Sequence, residues 1–440
     1  MMEREININD IKKYHEKLKE VPNSKIIKNA VMNNGINDTC KNNKVIAKKL
    51  ARNFSIEIKT GEVSNQKQSG RCWLFATLNT LRHDFAVKHN VKNFEFSQNY
   101  LSFWDRFEKA NAFYNFVIET ANEPLDSRIV NFLFKNCNED GGQWDNSAAL
   151  IKKYGMVPKY AMPETKASEG TKEFTQILGL KLRKDGMNLR AMIEDGQASE
   201  SIDKTVRKML NEVYRMCAYA FGEPPHKFDL EFRNEADEYI QDLEITPKDF
   251  YEKYIGRDLD EYVVIINAPD KEFNKTYCIP FEKNVIGGQD VSFLNLDLKE
   301  FKEVLLNQIK DKEVTWFGAD VLQGMSRDEG FLESKLFDYK GLFDVNFKMS
   351  KTDRLRYFEA VTAHAMTITG VNLVDGEPNR WKVENSWGEK PGDKGYFVMS
   401  DRWLNDYVYH IVINKKYLTK EQLEMLNAEK IKLTPWDSMG

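Results

Sequence analysis

The chain has little of what marks secreted, membrane-borne or nucleic-acid-coating proteins. Only five of its 440 residues are cysteines, Cys40, Cys72, Cys137, Cys217 and Cys278, and they are odd in number and widely spaced. That excludes a disulfide framework and fits reduced thiols. Cysteine and histidine form no close-spaced ligand pairs, so neither a metal site nor a cofactor is expected. No run of about 18 apolar residues occurs, and the opening MMEREININDIKKYHEKLKE is charged where a leader peptide would be apolar. The expectation is a cytoplasmic, soluble protein without membrane contact. A net charge of −4 gives no overall pull toward nucleic acid. Internal repeats and low-complexity segments are also missing.

What is present suits a large folded core: 41% hydrophobic and 30% charged residues, with 27 Phe, 18 Tyr and 8 Trp. At this length, two lobes or a lobed domain with insertions is expected. Asn9 or Asp10 is placed to cap a first helix ending near Pro22, a second helical patch covers about 43 to 52, and 54 to 59 alternates like a short strand. A helix follows Cys72, and Ser97 caps another whose Tyr100, Leu101, Trp104 and Phe107 are spaced for core packing. Gly141-Gly142-Gln143-Trp144 is a sharp turn before a helix that stops at Gly155. Residues 165 to 255 are charged and mostly helix-patterned, most clearly over 199 to 221. Strands are expected at 262–266, 277–280, 315–321, 365–371, 380–384, 396–399 and 408–413, with a helix over 298–310. Helices first and sheet later predicts an α+β arrangement. The expected division is an N-terminal extension (1–60), a helical lobe (61–165), a mainly helical insertion (166–260) and a β-rich lobe with a C-terminal arm (261–440).

The stretch Gln66 to Phe75, Gln-Lys-Gln-Ser-Gly-Arg-Cys-Trp-Leu-Phe, carries the chemistry. A Ser-Gly-Arg turn delivers Cys72 to the start of a helix, where unpaired N–H groups and the macrodipole favour a thiolate. Gln66 is placed to turn an amide N–H toward the same point as an oxyanion donor. A base must then come from one of six histidines. His15, His83, His89, His226 and His410 lie in settings that suit structural or solvated roles. His364 opens the strand His-Ala-Met-Thr-Ile-Thr-Gly, and a second strand ends in Asn385-Ser386-Trp387-Gly388. Pairing of these strands would set the Asn385 amide oxygen against the imidazole and fix its tautomer. Trp387 would shield that bond from water.

In these motifs, Gln66, Cys72-Trp73, His364 and Asn385-Ser386-Trp387-Gly388, the chain resembles the papain-like cysteine peptidases. The resemblance implies a two-lobed fold and a thiolate–imidazolium pair of Cys72 and His364 oriented by Asn385. The oxyanion would be held by the Gln66 side chain and the Cys72 backbone N–H, with Trp73 and Trp387 in support. Two departures narrow the branch. Ser69 stands where the papain signature has a second cysteine, and His364 follows Cys72 by about 290 residues where the papain pattern has roughly 130–150.

The context Ser-Gly-Arg-Cys-Trp-Leu-Phe-Ala, the Gly141 to Trp144 turn, Trp316-Phe317-Gly318-Ala319-Asp320-Val321 and the ending Pro435-Trp436-Asp437-Ser438-Met439-Gly440 are similar to the bleomycin hydrolase and aminopeptidase C family. That similarity implies a cytosolic cysteine aminopeptidase, assembled as a homohexamer, whose C-terminal arm meets the amino group of a peptide substrate. Gly141 and Gly142 would line the groove, and the Gly440 carboxylate would pair with the α-ammonium. An ending at Met439-Gly440 is a little shorter than the family's usual one, which keeps an endopeptidase of the same fold as the alternative. Binding of nucleic acid, known for some members, has no support in this composition, so a nucleic-acid-binding or scaffold protein with a dormant site is the rival from another class.

Overall fold

Segments that read as short apolar runs are strands buried on both faces of one large sheet. The computed structural model describes residues 5–440, so the first four residues of the expected N-terminal extension lie outside the described residues. Twelve strands form the sheet. From one edge the order is 431–432, 275–279, 291–295, 262–266, 408–414, 315–319, 364–374, 377–384, 396–400, 331–332 and 325–326, with 56–57 pairing beside 364–374. Alternation along single strands divides the apolar residues between two cores. Val264, Ile266 and Trp316 join the core shared with the helices. Ile265, Phe317 and Trp381 join a second core on the opposite face.

The helices precede most of the sheet, as an α+β fold requires. Cys72–His89 and Gln98–Glu119 lie at the centre of the helical side, with Trp144–Tyr154 packed against both. Ser97 caps the second of these through its side chain, and Gly155 ends the third. Lys172–Glu194 and Ser199–Phe221, in the expected insertion, send Leu178, Leu182, Val213 and Cys217 into the same core as Phe113 and Tyr114. The insertion therefore packs onto the helical side and has no core of its own.

Three local expectations change. Asn7, not Asn9 or Asp10, caps the first helix, because its side chain accepts from the Asn9 and Asp10 N–H groups. Between the second helical patch and the first helix lie two further helices, Ser24–Asn34 and Ile36–Cys40. The expected helix-patterned stretch contains a hairpin, Phe228–Arg233 with Tyr239–Ile245. There Phe228 and Leu230 are buried while Asp229 and Glu231 face outward, so a charged outer edge masks a period of two.

Candidate active site

The Cys72 helix begins where it does because the turn before it is tied down from outside. The Gly70 N–H donates to Asp140 Oδ2 at 2.8 Å, and a Cβ at Gly70 would stand 2.6 Å from the Asp140 Cβ, so this close approach requires glycine. Arg71 occupies the N-cap position but offers no cap. Its guanidinium instead forms a buried fork on Glu164, at 3.2 and 2.8 Å. The first-turn N–H groups are thus left without a side-chain acceptor, which makes this helix start a site for developing negative charge.

His364 opens the strand 364–374, which pairs with 315–319 on one side and 377–384 on the other. The second pairing brings the turn after Glu384 back to the histidine. Nε2 of His364 lies 2.8 Å from Asn385 Oδ1, which also accepts the Ser386 N–H at 2.8 Å. That acceptor fixes the proton on Nε2 and leaves Nδ1 as the free ring nitrogen. Both residues are buried, and the Trp387 ring stacks on the imidazole at 4.8 Å between centroids. The cysteine helix is keyed to the same strands: Trp316 Nε1 donates to the Trp73 carbonyl at 3.2 Å.

Gln66 is held at three points. Its N–H donates to the Ser386 carbonyl at 2.8 Å, its Oε1 accepts from the Ser386 hydroxyl at 2.6 Å, and its Nε2 donates to the Ser69 carbonyl at 2.7 Å. The amide orientation follows from these partners, and Nε2 keeps a second hydrogen. Ser69, at the position of the absent papain cysteine, donates to the Gln66 carbonyl at 2.6 Å. All five cysteines are free, and four of them are buried.

Electrostatics at the pair run against both charges taken singly. Burial pushes the Cys72 thiol up, although the N–H groups of Ala365, Trp73 and Cys72 itself pull the other way. Burial pushes His364 down to about 4, with Asn385 drawing it up and Arg327 drawing it down. The thiol is partly open to the cleft, so solvent softens its penalty. A thiolate and an imidazolium are therefore stable here only by pairing with each other.

One cleft of about 730 Å³ is lined by Gln66, Cys72, His364, Gly141, Gly142 and Gly440. The two glycines differ. A Cβ at Gly141 would meet nothing within 4 Å, whereas one at Gly142 would stand 2.7 Å from the Trp73 indole. Gly142 is glycine because Trp73 packs flat against it, with the indole N–H donating to the Asp140 carbonyl at 2.9 Å. The chain end reaches the cleft because Met439 is fully buried in the helix-side core. Gln143 Nε2 donates to the Met439 carbonyl at 3.2 Å, Asp437 pairs with Lys271 at 3.0 Å, and Arg128 lies over Trp436. Asp140, Glu164, the bond from Ser386 to Gln66 and these arm contacts escaped sequence reasoning; the place of Asp140 beside the Gly141 turn and of Ser386 inside the Asn385 motif were the only signals.

Among the described residues, no group of His, Cys, Asp and Glu is arranged to hold a metal ion, and no helix is long and apolar enough to cross a membrane.

The chain is 45% identical to aminopeptidase G of Lactobacillus delbrueckii subsp. lactis over the full length of both. It is 46% identical to aminopeptidase E of Lactobacillus helveticus, again over the whole of each chain. With aminopeptidase C of Listeria monocytogenes serovar 1/2a it shares 43% identity over 100% of this chain and 99% of the relative. The crystal structure of pepw from Lactobacillus rhamnosis HN001 matches with a TM-score of 0.98 at 48% identity, covering 99% of each chain. Residues 5–440 match the Peptidase C1-like family, and the chain belongs to that family as a cysteine peptidase of papain-like α+β fold.

Proposed function

We propose that this cysteine aminopeptidase removes N-terminal residues from peptides through a thioester on Cys72. The Cys72 sulfur attacks the scissile carbonyl while His364 Nδ1 takes and then returns the thiol proton, protonating the leaving amine. His364 next activates water, which hydrolyses the thioester. The second hydrogen of Gln66 Nε2 and the Cys72 N–H hold the oxyanion of each tetrahedral intermediate. Asn385 keeps the imidazole in the tautomer that leaves Nδ1 free. Gly141 and Gly142 edge the groove for the peptide backbone.

Exopeptidase action follows from the arm. The Gly440 carboxylate, in the same cleft as Cys72 and His364, pairs with the substrate's α-ammonium and excludes longer N-terminal extensions. That shared cleft is the observation that carries the reading. The full-length relatives named aminopeptidase C, E and G support it. Two further properties belong to the same proposal: bleomycin-hydrolase-like hydrolysis of other amides, and a cytoplasmic homohexamer. Exposed Ile11, Tyr14 and Leu18 on one face of the helix Ile8–Glu20 support assembly, since that apolar stripe has no cover among the described residues. The helical lobe (61–165) and the β-rich lobe (261–440) form the walls of the cleft, with 1–60 and 166–260 outside them.

The test is hydrolysis of paired arylamide substrates, one with a free amino group and one N-acetylated. The expected result is turnover of the free-amino substrate with the blocked one ignored. Equal turnover of both identifies an endopeptidase and contradicts the proposal.

A further inference from the structure

The cleft holds one carboxylate that the mechanism above does not use. Glu282 ends a short turn, Pro280–Glu282, that follows the strand Lys275–Ile279. Its position is fixed from behind. Asn146 Nδ2 donates to the Glu282 carbonyl at 2.9 Å, and Asn284 Nδ2 donates to Asp105 Oδ1 at 2.9 Å. The side chain lines the cleft together with Gly440. A Cβ placed on Gly440 would stand 3.5 Å from Glu282 Oε1, so the last residue and this carboxylate are neighbours.

Neither carboxylate is satisfied from within the described residues. Among the described residues, neither Glu282 nor the chain terminus has an ion-pair partner. The nearby cations are engaged elsewhere: Lys109 with Asp105 at 2.8 Å, and Lys283 with Asp290 at 2.6 Å. Burial pushes the Glu282 carboxyl up to about 7, with Lys109 drawing it down and Glu139 raising it. A half-buried carboxylate without a partner is costly unless a cation arrives.

We propose that Glu282 is a specificity-determining residue, and that its carboxylate and the Gly440 terminal carboxylate form a paired acidic clamp for the substrate's α-ammonium group. The inference rests on the reading of the arm given above. An ammonium carries three N–H donors, more than one carboxylate takes up well, and a second carboxylate satisfies the remainder. The clamp also gives the arm a fixed partner in the wall of the cleft, so selection does not depend on the chain end alone.

The test uses the full-length protein and the variants Glu282→Gln, Glu282→Asp and a chain ending at Met439. Each is assayed with alanyl and lysyl arylamides carrying free amino groups, and with the N-acetylated alanyl compound. The rate of Cys72 alkylation by iodoacetamide checks that each variant is folded at its site. The expected result for Glu282→Gln is a KM about 10- to 100-fold higher for both free-amino substrates, with kcat changed far less. Glu282→Asp, which keeps the charge, recovers part of that loss. An unchanged KM for Glu282→Gln overturns the inference, and so does a loss confined to the lysyl substrate, which would assign Glu282 to a side chain. If the chain ending at Met439 loses its preference for free amino groups while Glu282→Gln keeps it, the arm reading stands and the inference fails. If Glu282→Gln raises both KM values while the shortened chain keeps its preference, the arm reading fails and Glu282 alone is the anchor.

Discussion

The Ser386 hydroxyl donates to the Gln66 side-chain oxygen across 2.6 Å, joining the turn before the nucleophile to the turn after the histidine's partner. One serine thereby sets the direction of the Gln66 amide, the proposed oxyanion donor, and its own backbone N–H is held by Asn385 Oδ1.

Gln66→Ala removes the donor and lowers kcat by ~10²–10³-fold with little change in KM. Ser386→Ala leaves the donor but frees its rotation, so about a tenfold loss of kcat is expected, or ~1.4 kcal/mol in the barrier. Steady-state kinetics on a free-amino arylamide checks both. A Ser386→Ala enzyme with unaltered kcat contradicts the orienting role.

Asn385→Ala strips the imidazole of the acceptor that draws its pKa up. His364, already near 4, then falls further, and the imidazolium that stabilises the thiolate becomes rarer across neutral pH. The pH profile of Cys72 alkylation therefore moves to higher pH, and kcat/KM drops by roughly 10²-fold. A profile that stays in place separates the imidazole's charge from Asn385.

The paired glycines respond differently to one methyl group. Gly142→Ala forces the Trp73 indole to shift and costs ~1–3 kcal/mol. Gly141→Ala meets no atom within 4 Å and stays within about 0.5 kcal/mol of the parent, while its methyl narrows the groove and raises KM. Denaturant unfolding of the two variants measures the contrast.

Met439→Ala withdraws the buried anchor of the arm. Stability falls by ~2–5 kcal/mol if the arm stays docked, and by less if the arm lets go. In either case the chain end is held less firmly, so N-acetylated substrate gains turnover relative to the free-amino one. Parallel unfolding and substrate-pair assays give both quantities.

Much of the candidate site's layout was legible because its residues sit in short local motifs. Cys72 at a helix start, His364 opening a strand and Asn385 just after the next one all follow from residue type and local period. The strand 262–266 and the helix 298–310 also stand where their patterns place them. What was hidden depends on contacts far apart in the chain. Asp140 reaches Gly70 across 70 residues, and Ser386 reaches Gln66 across 320. Neither pairing leaves a local trace. Gly142 is expected to line the groove, yet its lack of a side chain answers to Trp73. The strand Val291–Asn295 escaped because Ser292 interrupts a short apolar run, and its pairing with Lys275–Ile279 and Tyr262–Ile266 shows only in the fold. Glu282 gave no signal at all, since its meaning comes from a chain end more than 150 residues away.

The most direct test of the account is stoichiometric alkylation of the native protein by iodoacetamide, followed by peptide mapping and residual activity on the same samples. Cys40, Cys137, Cys217 and Cys278 are buried and Cys72 opens to the cleft, so one equivalent should enter at Cys72 and activity should fall in step with that single modification. Full modification of Cys72 with hydrolysis intact would contradict the account.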